Sequence, residues 1–465
     1  MRTLLSVVTL VACAASAGAA PPRSGLPPDR EIRRMLVTRV DVQKQATGVV
    51  VGIVEPRGRR VIAYGTRGLA DRRPVTGDTV FDIGSITKLF TSLLLADLAA
   101  RGELAIDDPV ARYLPAEIRV PERDGRPITL ADLATHTSGL PLRPGNLVSA
   151  DPENKYAGYT IERLYEFLSG YALPRTPGSA YEYSNAGYGL LGDIVARRIG
   201  QGYEAAVRSR ITGPLGMADT RIAATPAMKA RAAVGYTLEL VPAPAWDFGA
   251  LEGAGALHST ANDLMKLLEA HLGYRKTALG PALRAMLATR RPGGMAPSTQ
   301  IALGWNVLVA DGREIVWKNG SVGGYRAFLG FDLAARVGVV ALSNAQTAVG
   351  VDDIGLHLLD PAQTVDLRPP TVHHEIAVAP DQLDRCVGRY RFSPTDVLAI
   401  TRTGAQLYVA QEPSQDRLPL FAEGPRAFFL KVIDAQVTFV ADGDGRASAA
   451  IWRQGGKDER GERIE

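Results

Sequence analysis

The chain has 465 residues, 46% hydrophobic and 22% charged, with 48 glycines, 30 prolines and two cysteines. That balance excludes a largely disordered protein, and the length exceeds one hydrophobic core, so two or three domains are expected. The net charge of +4 is spread thinly, without the concentrated basic face that nucleic acid requires.

Residues 1–20 read as an export signal. Met1-Arg2 is a short charged start, residues 4–12 are apolar, and Ala17-Gly18-Ala19 fits an A-x-A cleavage site. The run is too short to span a bilayer, and the rest of the chain has no stretch of about 20 apolar residues. Leu10-Val11-Ala12-Cys13 also resembles a lipobox that would lipidate Cys13, but the early position of the cysteine favours ordinary export to the periplasm. Cleavage would leave Cys386 alone, so no intramolecular disulfide forms and the fold must rest on packing.

Residues 21–45 read as a proline-rich lead-in and a first helix. Residues 48–54 and 60–64 are β-type runs around the charged turn Pro56-Arg57-Gly58-Arg59, a hairpin pattern. Residues 85–100 turn helical, with Leu89, Phe90, Leu93, Leu94 and Leu98 on one side and Arg101-Gly102 as the stop. The span 105–300 is mostly helical, most clearly at 132–133, 161–168, 187–199 and 261–272. Its polar segment 141–156 is long for a plain connection, and such loops are often functional. Strands return at 301–309, 314–318, 326–331 and 338–343, which predicts a sheet built from both ends of the chain around a helical middle. Pro361, Pro369, Pro370 and Pro380 mark a linker over 361–380. Beyond it, alternation at 397–401, 406–410, 428–430 and 436–440 predicts an all-β module over 381–465, barrel or sandwich.

The lysines point to chemistry. Arginine supplies 44 of the 53 basic residues, leaving nine lysines, and only Lys88 has a serine three positions upstream. In Ser85-Ile86-Thr87-Lys88, at a helix start, hydroxyl and amine share a face. A serine needs a base to become a nucleophile, and a desolvated lysine can serve where a guanidinium cannot. The helix N-terminus also offers backbone N–H groups to a developing oxyanion. Alone, this spacing reads more simply as a helix-start serine beside an exposed lysine. Two further segments reverse that reading. Tyr183 and Asn185 stand two apart before a new helix, supplying a phenol and an orienting amide. Lys318-Asn319-Gly320-Ser321 ends a strand run with a second lysine and a glycine that leaves room for a substrate along the strand.

Ser85-x-x-Lys88, Tyr183-x-Asn185 and Lys318-Asn319-Gly320, in that order, resemble the three boxes of the serine β-lactamase and penicillin-binding-protein superfamily. The Tyr-x-Asn form, Leu133-Ala134-Thr135-His136-Thr137-Ser138-Gly139 and Gly255-Ala256-Leu257-His258-Ser259-Thr260 point to its class C, S12-like side. Asp124-Gly125-Arg126-Pro127-Ile128-Thr129-Leu130 resembles the AmpH type of D-alanyl-D-alanine carboxypeptidase/endopeptidase. The likeness runs over about residues 35–355. It implies an α+β fold: a five-stranded-type antiparallel sheet flanked by helices, with an inserted helical region, in a hydrolase domain over 21–360.

The resemblance also implies acyl transfer. Ser85 attacks a carbonyl, Lys88 and Tyr183 shuttle the proton, and the N–H groups of Ser85 and Ser321 form the oxyanion hole. Asn185 holds the substrate amide, Lys318 attracts a terminal carboxylate, and Gly320 and Ser321 line the strand. The implied substrate is a small peptidoglycan-derived peptide or a β-lactam, with no cofactor and no metal. Which of Lys88 and Tyr183 is the immediate base stays open. One position departs from the family: Asn319, among the substrate-binding residues, stands where threonine or serine usually donates a hydroxyl to the substrate carboxylate, and its larger amide would donate an N–H instead. β-Lactamase, esterase and D-amino-acid peptidase activities are the alternatives, with a silent penicillin- or peptidoglycan-binding protein as the non-enzymatic one. His136 and His258 lie away from the boxes and read as structural, and His373-His374 as part of the linker. No zinc motif and no nucleophile elbow occur.

Overall fold

The computed structural model describes residues 25–149, 151, 154–293, 299–310, 312–347, 350–369, 371–393, 396–412, 417–431, 434–454 and 457–465. The export segment and Cys13 lie outside the described residues, as does part of the loop 141–156. Two compact units emerge, one of Ala17–Gln346 with Gly350–Leu367 and the other chiefly Arg368–Glu465.

The first unit opens with helix α1 (Asp29–Val37) and the hairpin β1 (Gly48–Glu55) and β2 (Gly58–Gly65). The hairpin turn is Pro56-Arg57, and Gly58 takes the positive φ (+125°) that comes after it. Helix α2 (Thr87–Ala100) continues from a short 3-10 turn at Gly84–Ile86. Its leucines do not form the one-sided stripe the sequence suggests, because every residue from Thr87 to Leu98 is buried. The polar members find internal partners: Thr91 Oγ1 donates to Gly253 O (2.7 Å), and Ser92 Oγ bonds the Tyr188 hydroxyl (3.0 Å).

The helical middle has explicit start signals. Thr129 and Asp132 form a capping box on α3 (Leu130–Ala134), and Thr160 caps α4 (Ile161–Gly170). Ser184 caps α5 (Asn185–Ile199), which stops at the left-handed Gly200 (φ +74°). Helices α6 (Ala261–His271), capped by Thr260, and α7 (Gly280–Ala288) complete this part.

Strands β3 (Arg291–Pro292), β4 (Thr299–Ile301), β5 (Asn306–Ala310), β6 (Arg313–Val322), β7 (Tyr325–Asp332) and β8 (Val337–Ser343) then return to the hairpin. The eight-stranded antiparallel sheet runs β2-β1-β8-β7-β6-β5-β4-β3, with Val49 opposite Ser343 where the two ends of the chain meet. The expected five-strand core is therefore extended by three strands beyond β6. Helix α6 covers one face, where a Cβ on Gly338 would lie 3.0 Å from Leu268. Helix α8 (Asp352–Leu359), not anticipated from sequence, covers the other, where a Cβ on Gly330 would meet Leu359 at 2.9 Å.

The second unit is a closed antiparallel barrel rather than a sandwich. It comprises β9 (Gly388–Ser393), β10 (Asp396–Thr403), β11 (Gln406–Gln411), β12 (Arg417–Ala422), β13 (Ala427–Leu430), β14 (Ala435–Ala441), β15 (Ala447–Gln454) and β16 (Lys457–Arg463). Tyr390 pairs with Arg463 to close the ring, which removes free strand edges. Alternate residues such as Leu398, Ile400, Leu407, Val409, Val437 and Phe439 fill the interior. Cys386 is buried beside them, and burial pushes its thiol up to about 11. His373 is no free linker residue: its ring stacks on Phe429 at 4.2 Å and bonds Glu423 at 2.6 Å.

Candidate active site

The three motifs converge in the first unit. Gly84 sits at φ +48° just before Ser85, and a Cβ there would come within 3.0–3.1 Å of the Ser321 backbone. A Cβ on Gly320 would lie 2.0 Å from Ile83 O and 3.2 Å from Ser85 N. Both glycines are thus demanded by the close approach of β6 to the start of α2. Room for Gly320 is taken by the Ile83 carbonyl, not reserved for a substrate as the sequence suggests. The contact sets the backbone of Ser321 beside that of Ser85.

Lys88, fully buried, projects from the first turn of α2. Its Nζ lies 3.1 Å from Ser85 Oγ, 2.8 Å from Asn185 Oδ1 and 2.6 Å from the Ala254 carbonyl. The Tyr183 hydroxyl donates to Ser85 Oγ at 2.6 Å, so the serine oxygen sits between phenol and amine. Asn185 in turn donates from Nδ2 to the Tyr156 hydroxyl at 2.9 Å. Lys318, 2% exposed, comes from β6 to within 5.0 Å of the Tyr183 ring, and Lys88 lies 4.8 Å from the same ring.

Burial dominates the electrostatics. It drives Lys88 well below the ordinary lysine range, with the neighbouring Lys318 charge adding to the effect. Burial also lowers Lys318, to about 7. The same cause pushes the Tyr183 phenol up, opposed by its bond to Ser85. Near neutral pH this favours an uncharged amine able to accept a proton and a phenol able to give one.

Strand β6 pairs with β7 from Val316 to Val322 but with β5 only from Arg313 to Trp317. Among the described residues, no strand occupies the second edge of 318–322, which can accept an extended backbone.

Asn319 differs from the sequence expectation. Side chains alternate along β6, so Lys318 and Gly320 face α2 and α6 whereas Asn319 faces α8. Its Nδ2 donates to Asp352 Oδ2 at 2.6 Å. The amide expected to donate to a substrate carboxylate is engaged by a carboxylate of the protein itself. Burial foremost, offset by Arg326, raises that Asp352 carboxyl to about 6.

Sequence reasoning misses Ala254, whose contribution is a backbone carbonyl, and Asp352, which lies outside every motif. Tyr156 ends the loop 141–156 that its length marks. His136 reads from sequence as structural, yet its ring lies 4.3 Å from that of Tyr183. His258 pairs with Asp82, outside this cluster. Among the described residues, no group of three or more His, Cys, Asp or Glu is placed to hold a metal. No helix there is long and apolar enough to cross a membrane.

Residues 32–361 match the family model described as Beta-lactamase, and residues 373–463 match a domain of unknown function, DUF3471. The chain is 33% identical over 298 residues to the D-alanyl-D-alanine-carboxypeptidase/endopeptidase AmpH of Escherichia coli, covering 61% of this chain and 76% of the relative. It is 24% identical to penicillin-binding protein 4* of Bacillus subtilis, over 85% of this chain and 90% of that one. Among solved structures, a class C β-lactamase from Rhodobacter sphaeroides aligns with a TM-score of 0.58 at 27% identity, covering 68% of this chain and 93% of that chain.

Proposed function

The chain belongs to the Beta-lactamase family, serine hydrolases that act through an acyl-serine, and from that premise we propose an exported D-alanyl-D-alanine carboxypeptidase/endopeptidase acting on peptidoglycan peptides. The observation that carries this reading is the Ser85 hydroxyl held between the Tyr183 hydroxyl and the Lys88 amine, beside an open strand edge. The likeness to AmpH supports the substrate class. The accompanying domain plan is a signal over 1–20, a hydrolase domain over 21–360, a linker over 361–380 and a β domain over 381–465.

In this mechanism a peptide lies along 318–322 with its carbonyl at Ser85. Ser85 Oγ bonds to the carbonyl carbon as its proton passes to the uncharged Lys88. The backbone N–H groups of Ser85 and Ser321 hold the oxyanion. As the C–N bond breaks, Tyr183 gives its proton to the leaving amine and recovers one from Lys88. Water then attacks the acyl-serine by the reverse relay. Lys88 is the first base and Tyr183 the acid, because burial disfavours both ammonium and phenolate. Asn185 orients Lys88 and the substrate amide, and Lys318 attracts the substrate carboxylate.

A second reading, cleavage of neutral esters, is favoured by one observation. Asn319 turns to Asp352 on the α8 side, so position 319 offers no donor to a substrate carboxylate. Mass spectrometry of muropeptides after incubation separates the two. Loss of one D-Ala or of a cross-link supports the peptidase, whereas ester turnover alone refutes the cell-wall assignment and keeps the mechanism. Fluorescent penicillin is expected to label the wild type, and Ser85→Ala to lose at least about 10⁴-fold in acylation. No labelling and no turnover of any substrate would leave only the silent binding protein.

A further inference from the structure

His136 joins α3 to the loop before α4, 47 residues from Tyr183 in sequence, and no role in the proton relay falls to it. It is fully buried and holds φ +58°, a left-handed conformation that histidine, like asparagine and aspartate, adopts more readily than most side chains. The turn in this conformation sets a local requirement on the residue that occupies it.

That requirement is visible in its bonds. The His136 carbonyl accepts the Glu182 N–H at 2.7 Å, and its Nδ1 accepts the Ser184 N–H at 3.1 Å. One residue therefore grips the chain on both sides of Tyr183. The imidazole ring also packs against the Tyr183 ring, with centroids 4.3 Å apart and planes 32° from parallel. Tyr188 and Tyr181 close round the other sides at 4.9 and 5.7 Å. Because Nδ1 accepts, the neutral ring carries its proton on Nε2, which is buried without a hydrogen-bond partner among the described residues. The one hydrogen bond of the side chain is thus directed at the segment that carries the phenol.

We propose that His136 is a positioning residue for Tyr183, fixing the phenol on Ser85 Oγ through its Nδ1 bond to Ser184 and its ring contact. This rests on the proton relay through Tyr183. The two contacts supply the reason for the residue type. An acceptor two bonds from Cβ is the essential feature there, and histidine provides it together with a ring that packs on Tyr183.

The test is a double-mutant cycle read as acylation rate with a chromogenic β-lactam, with saturation kinetics and thermal melts alongside. His136→Phe keeps a ring and loses the acceptor. His136→Asn keeps an acceptor in a residue that tolerates φ +58°. His136→Phe is expected to slow acylation roughly tenfold or more with little change in half-saturating concentration, and His136→Asn to recover most of the loss. In a Tyr183→Phe background, His136→Phe is expected to add almost nothing, because the group it positions is gone. Equal, additive losses in both backgrounds overturn the proposal while sparing the relay. Full activity in Tyr183→Phe alone overturns the relay and this proposal together. If His136→Phe yields no folded protein, His136→Asn decides: near wild-type acylation supports the acceptor role, and a tenfold loss with an unchanged melt refutes it.

Discussion

The barrel and the hydrolase unit use burial for different ends. The barrel fills its interior with apolar side chains and leaves its pairs, such as Arg389–Glu412 and Arg453–Asp458, at the surface. The hydrolase unit buries Lys88 and Lys318 to 0% and 2% exposure, with no carboxylate in ion-pair range among the described residues. Buried apolar groups stabilise by about 1.5–3 kcal/mol each, whereas a buried unpaired amine destabilises. What the second arrangement gains is altered proton affinity, the property an acyl-transfer site requires. Burial is structural in the barrel, and in the hydrolase unit it is chemical as well.

The sharpest way to break this contrast is Lys88→Met. Acylation is expected to fall by about 10³-fold or more, while resistance to denaturant holds or improves by about 1–3 kcal/mol. A variant both inactive and unstable would show that Lys88 is structural. Phe428→Ala is the converse change, emptying part of the barrel core. It is expected to destabilise the barrel by about 3–5 kcal/mol, leaving the penicillin-labelling rate of the hydrolase unit unaltered.

Titration gives a smaller effect. Lys318 is depressed to about 7 when folded, against about 10.4 in an unfolded chain. Between those values the unfolded state binds more protons, so stability rises with pH, by up to about 1.4 kcal/mol per unit. Lys318→Met is expected to flatten that rise in denaturant melts taken from pH 7 to 9.5. An unchanged slope would mean that the amine is solvated. Asn319→Thr is the mildest change, costing about 1 kcal/mol through the lost bond to Asp352. The ratio of β-lactam to ester acylation is expected to stay within about twofold of wild type, since the side chain faces α8. A selective gain for β-lactams would place position 319 against the substrate carboxylate.

Much of the site is legible in the sequence because its chemistry is written in short spacings. Ser85 and Lys88 stand one helical turn apart, Tyr183 and Asn185 flank a helix cap, and Lys318 and Gly320 share one face of a strand. The barrel strands are legible by alternation, which a two-sided environment imposes on each strand separately. The α2 stripe misleads because its periodicity describes one buried side, while Thr91, Ser92 and Asp97 become buried only when distant segments supply partners. Helix α8 lacks a clear pattern for a related reason: seven of its eight residues are buried, including Asp352 and Asp353.

The sequence by itself determined the order of the boxes, the scarcity of lysine that exposed them, the division near the proline-rich stretch and the β character of the C-terminal module. These are local properties, set by composition, spacing and period. Only the tertiary structure decided that Ser85 lies between Tyr183 and Lys88, that Asn319 turns to Asp352, and that His136 holds both neighbours of Tyr183. Each of these joins residues distant in the chain, and desolvation and hydrogen-bond geometry exist only once the chain has brought them together.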